Sequence, residues 1–243
     1  SSPQFPSLAS ILFGYAMTWR ELDRHHREME QYVHQWQGEH DGLDALVRRA
    51  RQAYLKSIEA LQAEFVRLVM AEGWPATCDQ LLWNCRIFTK IITPLLDAGE
   101  RVAYFLVDSL RYELGMELEK QLSDKLQVTS QIVCAQLPTY TEVGMASLMP
   151  DAESKLKLEL KDGKLVTTLG GENATGPATR FNYLRSCKGD QCDDIDLDAL
   201  IKAKKSKVSD KVKLLVVRTH DLDAIAHETP QQVFQMIPQL LRH

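Results

Sequence analysis

Three short stretches carry residue types able to do chemistry. In Val107-Asp108-Ser109-Leu110-Arg111 a carboxylate directly follows an apolar run. If that run is a strand of an open α/β sheet, Asp108 stands at its carboxyl end, where such sheets bind ligands. There it could hold a metal or a phosphate-bound cation. It could equally cap the next helix by accepting backbone N–H bonds, and the local sequence leaves both open. In Pro138-Thr139-Tyr140-Thr141-Glu142-Val143-Gly144-Met145, Thr139 and Glu142 have the spacing of a capping box. With Thr139 as N-cap, the Thr141 hydroxyl falls in the first turn, beside unpaired N–H groups and the positive end of the helix dipole. That setting suits an anion, or a threonine alkoxide helped by a divalent metal. A plainly capped short helix explains the same letters, and on this stretch alone is the simpler reading. In Thr219-His220-Asp221-Leu222-Asp223-Ala224-Ile225-Ala226-His227-Glu228, Asp223 and His227 are four apart and share one helix face. Carboxylate and imidazole at that spacing can share a divalent ion, with zinc or manganese suited to mixed oxygen and nitrogen ligation. The bland alternative is a capped helix start with a surface histidine. Cys187 and Cys192 have no matching second pair, so a zinc ribbon is rejected.

These residues need elements to hold them. Val102–Val107 is a short unbroken apolar run, expected as a strand buried on both faces. A helix over about Ser109–Leu122, a strand over Val128–Cys134 and a short helix within Pro138–Met149 are predicted next. Asp162-Gly163 between apolar runs predicts a hairpin over Leu158–Leu169. Val212–Val217 reads as another buried strand, with a helix from about His220. Strands alternating with helices predict an α/β fold with a mainly parallel sheet flanked by helices over residues 99–243. Each of Asp108, Thr141 and Asp223 then follows a strand, so the three are expected in one cleft. Residues 1–98 read differently. Apolar side chains recur with helical period from Leu43 to Val69, and Gly73 and Pro75 stop the pattern. An earlier helix over Leu8–Gln37, a turn at Gly38 and Asp41-Gly42, and a third helix near Asp79–Thr93 complete a helical N-terminal region. The acidic Asp190–Asp198 and the lysine-rich Lys202–Lys213 read as solvated loop and helix faces.

Composition narrows the class. The 243 residues are 44% hydrophobic and 26% charged, which excludes disorder, collagen and a disulfide scaffold. A net charge of -4 argues against broad nucleic-acid coating but leaves room for a local basic site. No apolar run reaches the roughly 18 residues of a membrane span, and no secretory signal opens the chain. Five scattered cysteines suit reduced thiols in the cytoplasm. The chain starts on Ser1 without a methionine, which predicts an internal segment of a longer protein.

Strand-Asp, threonine at a helix start, then strand followed by Asp-x-x-x-His resemble, in that order, the alkaline phosphatase superfamily. More closely, residues from about Arg101 onward resemble a PglZ domain. The matching pieces are Val107 to Glu113, Pro138 to Leu148, the Asp162-Gly163-Lys164 hairpin, Gly170 to Arg180, and His220 to His227. The resemblance implies a metal-dependent phosphohydrolase core with two divalent ions, zinc, manganese or magnesium. Asp108 would bind one ion, Thr141 would be the nucleophile bridging to it, and Asp223 and His227 would bind the second. The family supplies further ligands in a later Asp-His pair and another His, and this sequence stops at His243 before any such motif, so the core is expected to be incomplete at its C-terminus. PglZ proteins belong to phage growth limitation and BREX defence systems, so other defence proteins are the expected partners. The substrate could be a nucleotide, an oligonucleotide or a phosphoprotein. The rival expectation is an inactive scaffold within a defence complex, with the helical region docking partner proteins.

Overall fold

The computed structural model describes residues 3–36, 41–75, 78–203 and 208–228. The first half of the chain forms α1 (Leu8–Gly14), a π-helical turn (Tyr15–Trp19), α2 (Arg20–Gln35), α3 (Asp41–Glu72), β1 (Leu82–Trp83), α4 (Asn84–Ile87), a second π-helical turn (Phe88–Ile92), α5 (Thr93–Asp97), β2 (Val102–Val107) and α6 (Tyr112–Ser123). The second half forms β3 (Val133–Cys134), α7 (Thr141–Ser147), α8 (Ala152–Lys155), β4 (Leu156–Lys161), β5 (Lys164–Leu169), β6 (Glu172–Asn173), α9 (Pro177–Lys188), a 3-10 turn (Gly189–Gln191), β7 (Cys192–Asp196), α10 (Leu197–Lys202), β8 (Leu214–Thr219) and α11 (Asp221–Glu228). Two compact units result. One joins the residues up to Leu81 with Leu110–Ile132 and those from Ala224; the other joins Leu82–Ser109 with Val133–Asp223.

The first unit is helical. The path from Leu8 to Gln35 is helical throughout, with a π-turn inside it, and α3 contains the whole periodic stretch read from sequence. The two runs are antiparallel. Glu72, at the end of α3, accepts from the Leu8 N–H at 2.9 Å, and Arg51, in its first half, pairs with Glu30 of α2 at 2.6 Å. Gly73 ends α3 at φ +82, a conformation that favours glycine, and its N–H donates to the Val69 carbonyl at 2.8 Å. Asp41 and Gly42, expected in a turn, are the first residues of α3; Gly38 lies outside the described residues. Leu8, Ile11, Ala16, Val47, Leu61, Leu68 and Leu114 are buried.

The second unit is α/β. Its main sheet has the order β2-β8-β7 with every pairing parallel, and Val107 pairs with Thr219 at the carboxyl end of the register. A smaller parallel pair joins β1 to β3, and β4-β5-β6 is antiparallel. One core runs through the unit, with Phe88, Ile92, Leu106, Ala146, Leu169, Tyr183, Leu184, Leu214 and Val216 at its centre. The hairpin forms as expected, with Asp162 at φ +51 and Gly163 at φ +72, the two positive values a tight hairpin turn demands. No described helix is long and apolar enough to cross a membrane.

Several expectations need correction. β2 is not buried on both faces: burial alternates along it, with Ala103 and Phe105 on the exposed face and Phe105 52% exposed. The expected strand over Val128–Cys134 shrinks to Val133–Cys134, and the helix expected from Ser109 begins at Tyr112. The third N-terminal helix is shifted: Leu82 and Trp83 pair as a strand, and helical backbone follows from Asn84 to Asp97. Cys192–Asp196, within the acidic stretch expected to be solvated, is strand β7. Its pairing to β8 outweighs the poor strand propensity of three aspartates, and Arg218 on β8 neutralises Asp194 at 2.5 Å.

Candidate active site

The parallel neighbours β2 and β8 bring two acidic residues to one sheet edge. Asp108 extends the ladder by one bond, its N–H donating to the Thr219 carbonyl at 3.0 Å. Ser109 then turns the chain at φ +58, a left-handed conformation unusual for serine. On the neighbouring strand, Thr219 is followed by α11, whose first turn carries Asp223. Ser109 ties the two together. Its N–H donates to Asp108 Oδ1 at 2.9 Å and its hydroxyl donates to Asp223 Oδ1 at 2.6 Å.

Thr141 arrives from α7. That helix is fixed by burial of Val143, Ala146 and Ser147, and by Thr167 of β5, whose hydroxyl donates to the Glu142 carbonyl at 3.4 Å. Thr141 is its first residue and is exposed, and its Oγ1 donates to Asp108 Oδ1 at 3.5 Å, the outer limit of a hydrogen bond. Asp108, Thr141 and Asp223 therefore do gather, within the α/β unit. His227 lies one turn further along α11 and is exposed; residues from Ala224 onward group with the helical unit.

Thr139 does not play the part expected of it. The N-cap is Tyr140, with extended backbone at φ -82 and ψ 148, and no side chain caps the helix. The Tyr140 carbonyl takes the first helical bonds, from the Val143 and Gly144 N–H groups at 3.0 and 2.9 Å. Starting one residue late removes the Thr139–Glu142 capping box and makes Thr141 the first helical residue.

The electrostatics centre on Asp108. Burial first, and the Asp223 charge second, push its carboxyl above the usual aspartate range, against the Ser109 and Thr141 donors and Arg180. Arg180 of α9 is 8% exposed, and its Nη1 donates to the Ala174 and Thr175 carbonyls at 3.3 and 2.6 Å. Burial lowers its pKa, while the Asp108 and Glu142 charges raise it. No carboxylate among the described residues is within ion-pair distance of it. Ser109 and Arg180 are the two residues that sequence reasoning left without a role. The positive φ of Ser109 has no sequence signature, since asparagine or glycine is the usual occupant. Arg180 could have been singled out only as the lone arginine near the start of the helix that follows a glycine-rich loop.

The donor set fits a divalent cation in part. Two mutually repelling carboxylates with a hydroxyl beside them are hard oxygen donors, and a cation would relieve their repulsion. Among the described residues, however, no group of three or more His, Cys, Asp or Glu side chains comes together as a metal site.

A parallel sheet flanked by helices is consistent with an alkaline phosphatase-like domain. Residues 87–238 match the family described as the BREX system PglZ alkaline phosphatase-like domain, and the chain belongs to that family. It is 31% identical over 121 residues to "Alkaline phosphatase-like protein PglZ" of Bacillus cereus (strain H3081.97), an alignment covering 45% of this chain and 13% of that protein. It is 29% identical over 106 residues to "Alkaline phosphatase-like protein BrxZ" of Escherichia coli O9:H4 (strain HS), covering 42% of this chain and 12% of that protein. The chain thus spans about an eighth of the length of these curated relatives.

Proposed function

We propose that this chain carries part of the catalytic core of a metal-dependent phosphohydrolase, a phosphatase or phosphodiesterase of a BREX-type defence system, with Thr141 as nucleophile. The observation that supports it best is the meeting of the Thr141 hydroxyl, Asp108 and Asp223 at one sheet edge. Asp108 with Thr141 would hold one divalent ion, and Asp223 with His227 would begin a second site. Zinc, manganese or magnesium bound there would stabilise negative charge on the phosphoryl oxygens. The chain's own residues do the rest. Thr141 Oγ1 forms the bond to phosphorus as the ester oxygen leaves, and its proton passes toward the Asp108 oxygen it already faces. Arg180, a buried cation without an ion-pair partner among the described residues, adds positive potential where anionic substrate would sit. Nucleotides, oligonucleotides and phosphoproteins all fit this chemistry. Residues 1–98 would serve as an arm for other defence proteins and 99–243 as the PglZ core. A cytoplasmic setting accords with five cysteines that form no disulfide.

A second reading keeps the domain as an inactive scaffold in a defence complex. It is favoured by the absence, among the described residues, of any three-ligand cluster. The discriminating experiment assays the natural full-length protein with zinc, manganese and magnesium on an aryl phosphodiester, an aryl phosphomonoester and nucleotides. Thr141→Ala is expected to lower turnover on the order of 10^3-fold or more, with its melting temperature nearly unchanged. Unchanged turnover in Thr141→Ala would remove the threonine from the chemistry, and a wild type inert on every substrate would establish the scaffold.

A further inference from the structure

We infer that Ser109 is a positioning residue that holds the Asp108 and Asp223 carboxylates in register for the divalent ions of the proposed site. The inference rests on the metal-dependent reading of the site and adds to it a residue with no role assigned there. Serine is an odd choice for this turn. At φ +58 its Cβ is crowded, and glycine would adopt the conformation without penalty. A strained backbone at such a place persists when its surroundings demand the side chain. Here the demand is visible. One residue makes two short bonds in two directions, N–H to Asp108 Oδ1 at 2.9 Å and hydroxyl to Asp223 Oδ1 at 2.6 Å, across 114 residues of sequence.

Those two bonds fix what the sheet alone leaves loose. β2 and β8 place the two backbones side by side, but each aspartate lies beyond its strand, so the sheet register alone does not fix its side-chain torsion. Two carboxylates left to themselves would rotate apart, because their charges repel. One residue, donating from its N–H to Asp108 and from its hydroxyl to Asp223, ties the two carboxylates together before any cation arrives. Hydrogen bonds of this kind to ligating carboxylates typically alter metal affinity 10–100-fold. A serine kept only as a turn residue would have no such effect, and its replacement by glycine would be neutral or favourable.

Glycine therefore separates the two roles, because stability and metal affinity move in opposite directions. In the natural full-length protein, Ser109→Gly should melt at or above the wild-type temperature in EDTA, since the strain is relieved. In calorimetric titration it should bind Mn2+ roughly 10–100-fold more weakly. Ser109→Asn should recover most of that affinity, because asparagine tolerates the left-handed region and its amide can donate to Asp223. Mn2+ affinity unchanged in Ser109→Gly, with a wild type that binds the ion, would overturn this inference alone. A Ser109→Gly protein that melts far below wild type would also overturn it, placing the bridge in the fold rather than in the site. A wild type that takes up no Mn2+ would overturn it together with the metal-dependent reading.

Discussion

Two places in the molecule, one in each unit, bury charge in opposite ways. In the helical unit, Arg27 and Glu113 are 4% and 2% exposed and meet as a bidentate pair, with three bonds of 3.0, 3.2 and 3.1 Å. Asp23 nearby accepts from two phenols, Tyr15 and Tyr54, the latter at 2.8 Å. The Arg27–Glu113 pair and the Asp23 carboxylate thus have their complements close by. Around Asp108, another carboxylate raises its pKa, Ser109 is held in a left-handed turn, and Arg180 is buried without an ion-pair partner among the described residues. Compensated burial serves the fold, whereas burial left uncompensated marks where a ligand would complete the balance. The lesson is that degree of burial alone does not find a site. What separates the Arg27–Glu113 pair from the Asp108 cluster is whether the neighbouring charges cancel.

The comparison breaks most visibly at Arg27. Arg27→Ala strands a buried glutamate, an outcome that costs about 3–5 kcal/mol and, for a chain of this size, lowers Tm by roughly 10 °C. Arg27→Met combined with Glu113→Leu removes both charges and should recover most of the loss. Thermal melts of the single and paired variants measure the difference, and a paired variant no better than the single one would show that the pair is not self-contained.

Asp108 should respond with the opposite sign. Its folded pKa is raised, so its contribution to stability is present below the unfolded value of about 3.9 and is lost as pH rises through the folded value. In metal-free protein Asp108→Asn is therefore expected to be slightly more stable than wild type at neutral pH, with the advantage closing as pH falls toward 4. Partial exposure screens the effect to well under about 1 kcal/mol. Melting temperatures in EDTA between about pH 4 and 7.5 test it, and a destabilised Asp108→Asn at pH 7 would mean that Arg180 dominates the site.

The legible parts of this chain were those governed by local rules. The α3 periodicity, the glycine stop at Gly73, the Asp162-Gly163 hairpin and the two apolar strands β2 and β8 all follow from side-chain pattern within one element. Because β2 and β8 are parallel neighbours, the meeting of Asp108 with Asp223 followed as well. What escaped depends on partners distant in sequence. β7 is a strand because β8 pairs with it and Arg218 offsets Asp194, not because Cys-Asp-Asp-Ile-Asp favours extended backbone. The exposed face of β2 depends on which elements pack over the sheet, a tertiary fact its unbroken apolar run does not encode. Ser109 was passed over because its significance lies in a bond to a residue 114 positions away. Arg180 carries no sequence signature because its burial, and the Asp108 and Glu142 charges that act on it, are tertiary facts.

The smallest effect belongs to Thr139, and it tests how the Thr141 turn is built. A capping box over Thr139 and Glu142 would make Thr139→Ala cost about 1 kcal/mol, a Tm loss of roughly 2–4 °C for a chain of this length. In the structure Thr139 is exposed and its side chain makes no hydrogen bond among the described residues, while Tyr140 holds the N-cap with its backbone alone. Thr139→Ala should then fall within about 0.5 kcal/mol of wild type, as surface substitutions do. The consequence reaches the site. A helix that begins at Tyr140 puts Thr141 at the first helical position, where its Oγ1 reaches Asp108. A helix begun at Thr139 would carry Thr141 further into the turn and rotate the hydroxyl by about 100°. A loss near 1 kcal/mol in Thr139→Ala would indicate the earlier start, and with it a Thr141 that no longer points at Asp108.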